Sequence, residues 1–156
     1  MLGRALALAP DIQNARIIIA TDRDDLDRQI KDTFKSCEME PARSTSGTNL
    51  IEMLEQKKSL ITTIINKFDT ATRNRDFVDD DVNLFVLVDE SHRTQYGSFA
   101  AKMRKILPKA CYIGFTGTPL LKEEKSTLNT FGGIIHKYTI DDAVRDGAVV
   151  PLLYEG

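Results

Sequence analysis

Four short apolar runs punctuate the chain: Ile17 to Ala20, Leu60 to Ile65, Leu84 to Val88 and Cys111 to Phe115. Each is largely continuous rather than alternating apolar with polar. That pattern predicts strands buried on both faces, as in a parallel sheet. Between the runs, apolar residues recur at helical spacing, at Leu26, Ile30 and Phe34 and again at Leu50, Ile51 and Leu54. The longest such stripe is Tyr96, Phe99, Ala100, Met103, Ile106 and Leu107, closed by Pro108. Thr139-Ile140-Asp141-Asp142 reads as a capping box, and the short helix it starts stops at Gly147. Residues 1–10 read as the end of a helix closed by Pro10. The stretches Lys35 to Thr48 and Arg73 to Asp81 read as surface loops of solvated residues. Repeated strand–helix–strand units imply right-handed crossovers, and with them an α/β domain of three layers around a mostly parallel sheet.

Composition narrows the class without naming a chemistry. The 156 residues are 42% hydrophobic and 28% charged, values of a globular chain rather than a disordered or collagen-like one. The length suits roughly one domain of about 100–200 residues. No apolar run approaches the ~18–20 residues of a membrane helix, so no membrane partner is expected. Arg4 interrupts the apolar N-terminal stretch, which lacks a basic region ahead of it, and this argues against a secretory leader. Two cysteines, Cys37 and Cys111, fit a reduced intracellular protein, with Cys111 reading as a small core residue. With His92 and His136 as the only histidines, a four-ligand zinc site is not supported. The net charge is −2, and residues 1–75 carry 12 basic and 11 acidic groups against 9 and 12 in residues 76–156. Neither half is a basic tail, so any nucleic-acid contact is local.

In parallel α/β sheets, ligands bind outside the carboxyl ends of the strands. The four runs end in Thr21-Asp22-Arg23-Asp24-Asp25, Asn66-Lys67-Phe68, Asp89-Glu90-Ser91-His92-Arg93 and Thr116-Gly117-Thr118-Pro119. The third is the most informative. An unpaired buried carboxylate costs several kcal/mol, so a core strand running straight into Asp-Glu calls for a cation or donors at its end. Successive strand side chains point to opposite faces, which disfavours Asp89 and Glu90 as twin ligands of one ion. A division of roles fits better: Asp89 holding Mg²⁺ at nucleotide phosphates, through water, and Glu90 orienting or deprotonating an attacking water. A strand ending in a solvated acidic turn fits the same residues. The Thr116 and Thr118 hydroxyls could meet His92, or belong to an ordinary Gly/Pro turn.

The longer strings resemble a known family. Asp89-Glu90-Ser91-His92 resembles the Asp-Glu-x-His box of superfamily-two helicases and translocases, and Gly114-Phe115-Thr116-Gly117-Thr118-Pro119 resembles their motif III. Val88 to Gly97 and Ile113 to Leu120 are similar to the motor domain of the restriction (R) subunit of type I restriction–modification enzymes. Ala20 to Asp27 resembles that family's motif Ia, Thr62 to Phe68 its motif Ib region, and Tyr138 to Gly147 the stretch closing its first RecA-like domain. The resemblance implies a RecA-like fold and an ATPase that moves double-stranded DNA ahead of endonucleolytic cleavage. It assigns ATP and Mg²⁺ to Asp89 and Glu90. It gives His92, Thr116 and Thr118 the coupling of nucleotide state to DNA grip, and gives Thr21, Arg23 and Lys67 contact with the DNA backbone. The modification and specificity subunits would be partners, in a bacterial or archaeal cytoplasm.

Departures from the family pattern set further expectations. A nucleotide motor needs a Gly-rich loop ending in Gly-Lys-Ser/Thr, and no glycine here is followed by lysine. Residues 1–156 therefore read as part of a first RecA-like domain, its sheet incomplete at the N-terminal edge. The phosphate-binding loop, the nuclease domain and the second RecA-like domain would be absent, and the chain alone would be inactive. A sheet lacking an inner strand exposes unpaired backbone, so self-association is expected. Glu55-Gln56-Lys57 and Glu123-Glu124-Lys125 have the Glu-x-Lys spacing of a nuclease but are too short to carry that assignment. Other readings are another superfamily-two DNA or RNA helicase, separated by the Arg93-Thr94-Gln95-Tyr96-Gly97 string, and an α/β module without catalysis. A hydrolase with Asp89, Glu90 and His92 as metal ligands has a poor ligand set.

Overall fold

The computed structural model describes residues 5, 9–22, 40–74, 77–89, 96–117 and 131–150. In chain order its elements are β1 (Arg16–Thr21), β2 (Ala42–Arg43), α1 (Gly47–Glu55), β3 (Leu60–Ile64), α2 (Asn66–Asn74), β4 (Leu84–Val88), α3 (Tyr96–Ile106), β5 (Cys111–Gly114) and α4 (Ile140–Arg145). The five strands form one sheet in the order β2-β3-β1-β4-β5, and every pairing is parallel. The fold is α/β, as the apolar runs predict. All four of those runs became strands.

β1 lies at the centre because it can satisfy both edges and both faces. Its backbone pairs with β3 on one side and β4 on the other, and all six of its residues are buried. Alternate side chains feed two separate clusters. Ile18 and Ala20 join Ile61, Leu84, Val86, Val88 and Tyr112 in the larger one, which α1, α2 and α3 cover with Leu50, Ile51, Leu54, Phe68, Ala71, Met103 and Ile106, with Leu107 just beyond α3. Ile17 and Ile19 join Leu60 and Leu87 on the opposite face, with Ile113 against them. Burying each such side chain is worth roughly 1.5–3 kcal/mol. The connections β2→β3, β3→β4 and β4→β5 all step across the sheet in the same direction. Right-handed crossovers in one direction put their helices on one face, and α1, α2 and α3 do share one cluster.

Local signals explain the helices. Ser46 caps α1, its hydroxyl accepting from the Asn49 amide at 3.1 Å. Thr139 caps α4 as the capping box predicts, the Asp142 amide donating to its hydroxyl at 3.2 Å while its own amide donates to the Asp142 carboxylate at 2.9 Å. Gly147, directly after the cap residue Asp146, takes φ +69°, the left-handed conformation that favours glycine there.

Several expectations need correction. The stretch read as one loop from Lys35 to Thr48 contains β2 and the start of α1. α2 was not foreseen, because its single apolar stripe is only Phe68 and Ala71. Cys111 is exposed rather than a core residue, because it opens β5, which has a neighbour on one side only among the described residues. Asp79, in the acidic stretch read as solvated, is buried. The helical stripe at Leu26, Ile30 and Phe34, and the N-terminal helix apart from Ala5 and Ala9, lie outside the described residues.

Asp79 anchors a charged cluster at the amino ends of the strands. Arg16, the first residue of β1, donates to Asp79 at 2.6 Å, to Asp81 at 3.2 Å and to the Leu54 carbonyl at 3.1 Å. Lys57 donates to the other Asp79 oxygen at 2.7 Å. Burial pushes the Asp79 carboxyl up, but the Lys57 and Arg16 donors outweigh it and hold the group below its ordinary value. Lys57 thus serves this structural cluster, which disposes of Glu55-x-Lys57 as a nuclease pair. Glu123-x-Lys125 lies outside the described residues.

Candidate active site

Because all five strands run the same way, their carboxyl ends share one rim. Backbone hydrogen bonds fix the order of residues along it. The Ile65 amide donates to the Thr21 carbonyl at 2.9 Å, the Asp89 amide to the Ala20 carbonyl at 3.0 Å, and the Phe115 amide to the Val88 carbonyl at 2.8 Å. Ala20 registers with Val88, and Val88 with Gly114. Across the rim the sequence is therefore Ile64, Thr21, Asp89, Phe115, at the usual strand spacing of about 4.8 Å, with Thr116 one residue further out. Three of the four strand-end clusters converge on Asp89 or its immediate neighbours.

The direction of the chain opens a crevice here. From β1 the chain goes on to β2 on one side of the sheet, whereas from β4 it goes on to β5 on the other. Adjacent strands whose continuations diverge mark the point where α/β sheets bind ligands. Asp89 sits at that point, partly exposed, directly beyond the fully buried Val88. By strand alternation, Thr21 and Asp89 follow Ile19 and Leu87 onto the face opposite α1, α2 and α3. Thr21 is fully buried and Thr116 partly exposed. The arrangement offers a carboxylate with Thr21 and Phe115 in the neighbouring register positions and with backbone at the strand ends. Such donors suit a hydrated divalent cation and the polyphosphate it accompanies.

Lys67 lies further along the same rim, at the start of α2, partly exposed, with its Nζ donating to the Ser44 carbonyl. Ser44 follows β2, and its hydroxyl donates to Thr63 Oγ1 at 2.7 Å in a buried contact. Sequence reasoning singled out Lys67 but missed Ser44. The Ser-x-x-Asn spacing of Ser46 and Asn49, ahead of the Leu50–Ile51–Leu54 stripe, was the available signal for a helix start at the rim. Glu90, His92, Arg23 and Thr118 lie outside the described residues. The structure thus brings Thr21, Asp89 and Thr116 together and sets Lys67 on the far side of β1.

Comparison with known proteins agrees with the resemblance read from the motifs. A family model described as SWI2/SNF2 ATPase matches residues 1–156. The chain is 35% identical over 173 aligned residues to the type I restriction enzyme HindI endonuclease subunit of Haemophilus influenzae, covering 98% of this chain and 16% of that protein. It is 36% identical over 142 residues to a provisionally named type I restriction endonuclease subunit of Methanocaldococcus jannaschii, covering 89% of this chain and 14% of that one. A third relative, the SsaAORF53P endonuclease subunit of Staphylococcus saprophyticus, is 35% identical over 146 residues, with 86% and 16% covered. The chain spans about one-sixth of the length of these curated relatives.

Proposed function

The chain belongs to the SWI2/SNF2 ATPase family, and from that premise we propose that it is part of the first RecA-like lobe of a type I restriction R subunit. In this reading ATP hydrolysis drives double-stranded DNA past the complex before cleavage. The phosphate-binding loop, the nuclease domain and the second RecA-like lobe come from polypeptide outside residues 1–156. The modification and specificity subunits are partners, and the setting is a bacterial or archaeal cytoplasm. Among the described residues, no helix is long and apolar enough to cross a membrane.

One observation carries the reading. Asp89 directly follows β4, a buried inner strand, at the point of the rim where the chain diverges, beside Thr21 and one strand from Phe115-Thr116. Asp89 holds Mg²⁺ there through water, and the ion neutralises phosphate charge when bound. Glu90, next in the chain, orients the attacking water and accepts its proton. His92, Thr116 and Thr118 link the β4 and β5 ends, so that a change at the nucleotide is felt along the rim. Thr21, Arg23 and Lys67 belong to the part of the rim that faces the DNA backbone, where cationic and hydroxyl donors fix register without reading bases. Thr21, being buried, acts from beneath that surface.

The test uses the intact subunit with Glu90→Gln. ATP binding is retained, and DNA-stimulated turnover falls by about 10²-fold or more, the usual contribution of a positioned general base. Unchanged turnover rejects the role.

A further inference from the structure

Lys67 invites the reading of a phosphate contact, since it is a cation at a rim facing DNA. Its surroundings assign it a different task. Its Nζ donates to the Ser44 carbonyl, in the turn between β2 and α1. Three other contacts pin the same turn to the same place, the first being the Ser44 amide donating to the Thr62 carbonyl at 2.9 Å. Ser44 bonds Thr63 Oγ1 at 2.7 Å, with both residues fully buried. Gly47 packs so closely on α2 that a Cβ there would lie 2.7 Å from the Lys67 carbonyl oxygen and 2.6 Å from the Ala71 nitrogen. The turn that follows, Thr45-Ser46, is exposed and internally braced. The Thr45 amide donates to Asn49 Oδ1 at 3.1 Å, and the Asn49 amide donates to Ser46 Oγ at 3.1 Å.

β2 is only two residues long and pairs with a single neighbour among the described residues. A strand so short contributes few ladder bonds to fix the turn at its end. The side-chain contacts from β3 and α2 supply what the ladder does not. We infer that Lys67 is a positioning residue that acts on DNA binding through the Ser44–Ser46 turn, and that Thr63 is its buried counterpart. This rests on the reading of the rim as the DNA-facing surface. It accounts for both ends of the string from Thr63 to Lys67, one bonded to Ser44 Oγ and the other to Ser44 O, and so extends that surface to β2.

Two measurements on the full-length subunit decide the matter, with Lys67→Met and Thr63→Val as variants and a random-sequence duplex as probe. A lysine that neutralises a phosphate contributes about 0.9 to the slope of log K against log salt for duplex DNA. A positioning lysine leaves the slope unchanged while the affinity falls. Both variants are expected to bind several-fold more weakly with the wild-type slope, and Thr63, being buried, cannot act through a phosphate at all. Without DNA, amide exchange at Ser44 and Asn49 is expected to rise about tenfold or more, the scale of a lost hydrogen bond to a charged group. A slope reduced by about one in Lys67→Met, with exchange unaltered, overturns the inference. Faster exchange with unaltered affinity also overturns it, because the turn would then lie off the DNA surface. Should Lys67→Met fail to fold, Thr63→Val carries both measurements. If the wild-type subunit binds no duplex, the reading of the rim fails instead, and exchange alone decides whether Lys67 holds the turn.

Discussion

Replacing Arg16 by methionine tests how the fold is held at the amino ends of its strands. The Arg16 side chain is 5% exposed and that of Asp79 is 1% exposed. The guanidinium meets two carboxylates, at 2.6 and 3.2 Å, and two main-chain carbonyls, at 3.1 and 3.5 Å. Methionine keeps most of the aliphatic stem but removes every donor. Asp79 is then left with the Asp81 amide at 3.3 Å and with Lys57, whose own side chain is 57% exposed and correspondingly screened. Removing one partner of a buried ion pair costs about 3–5 kcal/mol, because the remaining charge has lost its compensation. For a chain of this size, with a urea m-value of about 2 kcal/mol/M, the midpoint should fall by about 2 M. The double variant Arg16→Met/Asp79→Leu should recover most of that loss, since replacing both charges by apolar groups of similar size is often neutral. Urea unfolding of wild type, both single variants and the double variant closes the cycle. A single-variant loss below about 1 kcal/mol, or a double variant as unstable as the sum of the singles, refutes the argument that the cost lies in a stranded carboxylate.

Three further outcomes follow from the same contacts. Asp79 is held below its ordinary value of 3.8, so its contribution to stability is present above that pH and is lost as pH falls through the folded-state value. Unfolding should accordingly steepen below about pH 4, and Asp79→Asn should flatten that acid limb when urea midpoints are plotted against pH; an unchanged limb would remove Asp79 from the account. Gly47→Ala forces a methyl within 2.8 Å of α2 atoms, main chain among them. The two helices must part, at a cost of about 1–3 kcal/mol read from urea midpoints, and a stability gain from the alanine would contradict the close approach. The 156-residue chain should self-associate through its sheet edges, raising its sedimentation coefficient with concentration, whereas a monomer with a sharp two-state thermal transition counts against this.

The sheet was legible in the sequence because its strands are short, continuous and apolar, a pattern that few other structures explain. The convergence of Thr21, Asp89 and Thr116 was legible for a related reason: once the strands are parallel, whatever follows each run shares one rim. Features that depend on side chains meeting across distant segments were not. Nothing in the letters around Asp79 distinguishes it from Asp80 beside it, which is largely exposed and pairs with Lys109 at 3.1 Å. Its burial is decided by Arg16, 63 residues away. β2 was missed because two residues carry no periodicity, and α2 because its buried stripe is too sparse to exceed the polar background. Cys111 was misjudged because an apolar run does not reveal which of its members opens at the margin of a sheet.

The central place of β1 has a consequence for biosynthesis. Ile17 pairs with Leu60 on one flank and Phe85 on the other. Among the described strands, β1 is thus made before either of its partners. At about 5–20 residues per second, the 68 residues between Ile17 and Phe85 take about 3–14 s to translate. Until Leu60 emerges the run of isoleucines has neither ladder to join, and its β4 flank stays open for the whole interval. Nascent-chain chaperones would find their natural substrate in this interval, and slower codons after residue 21 would prolong it.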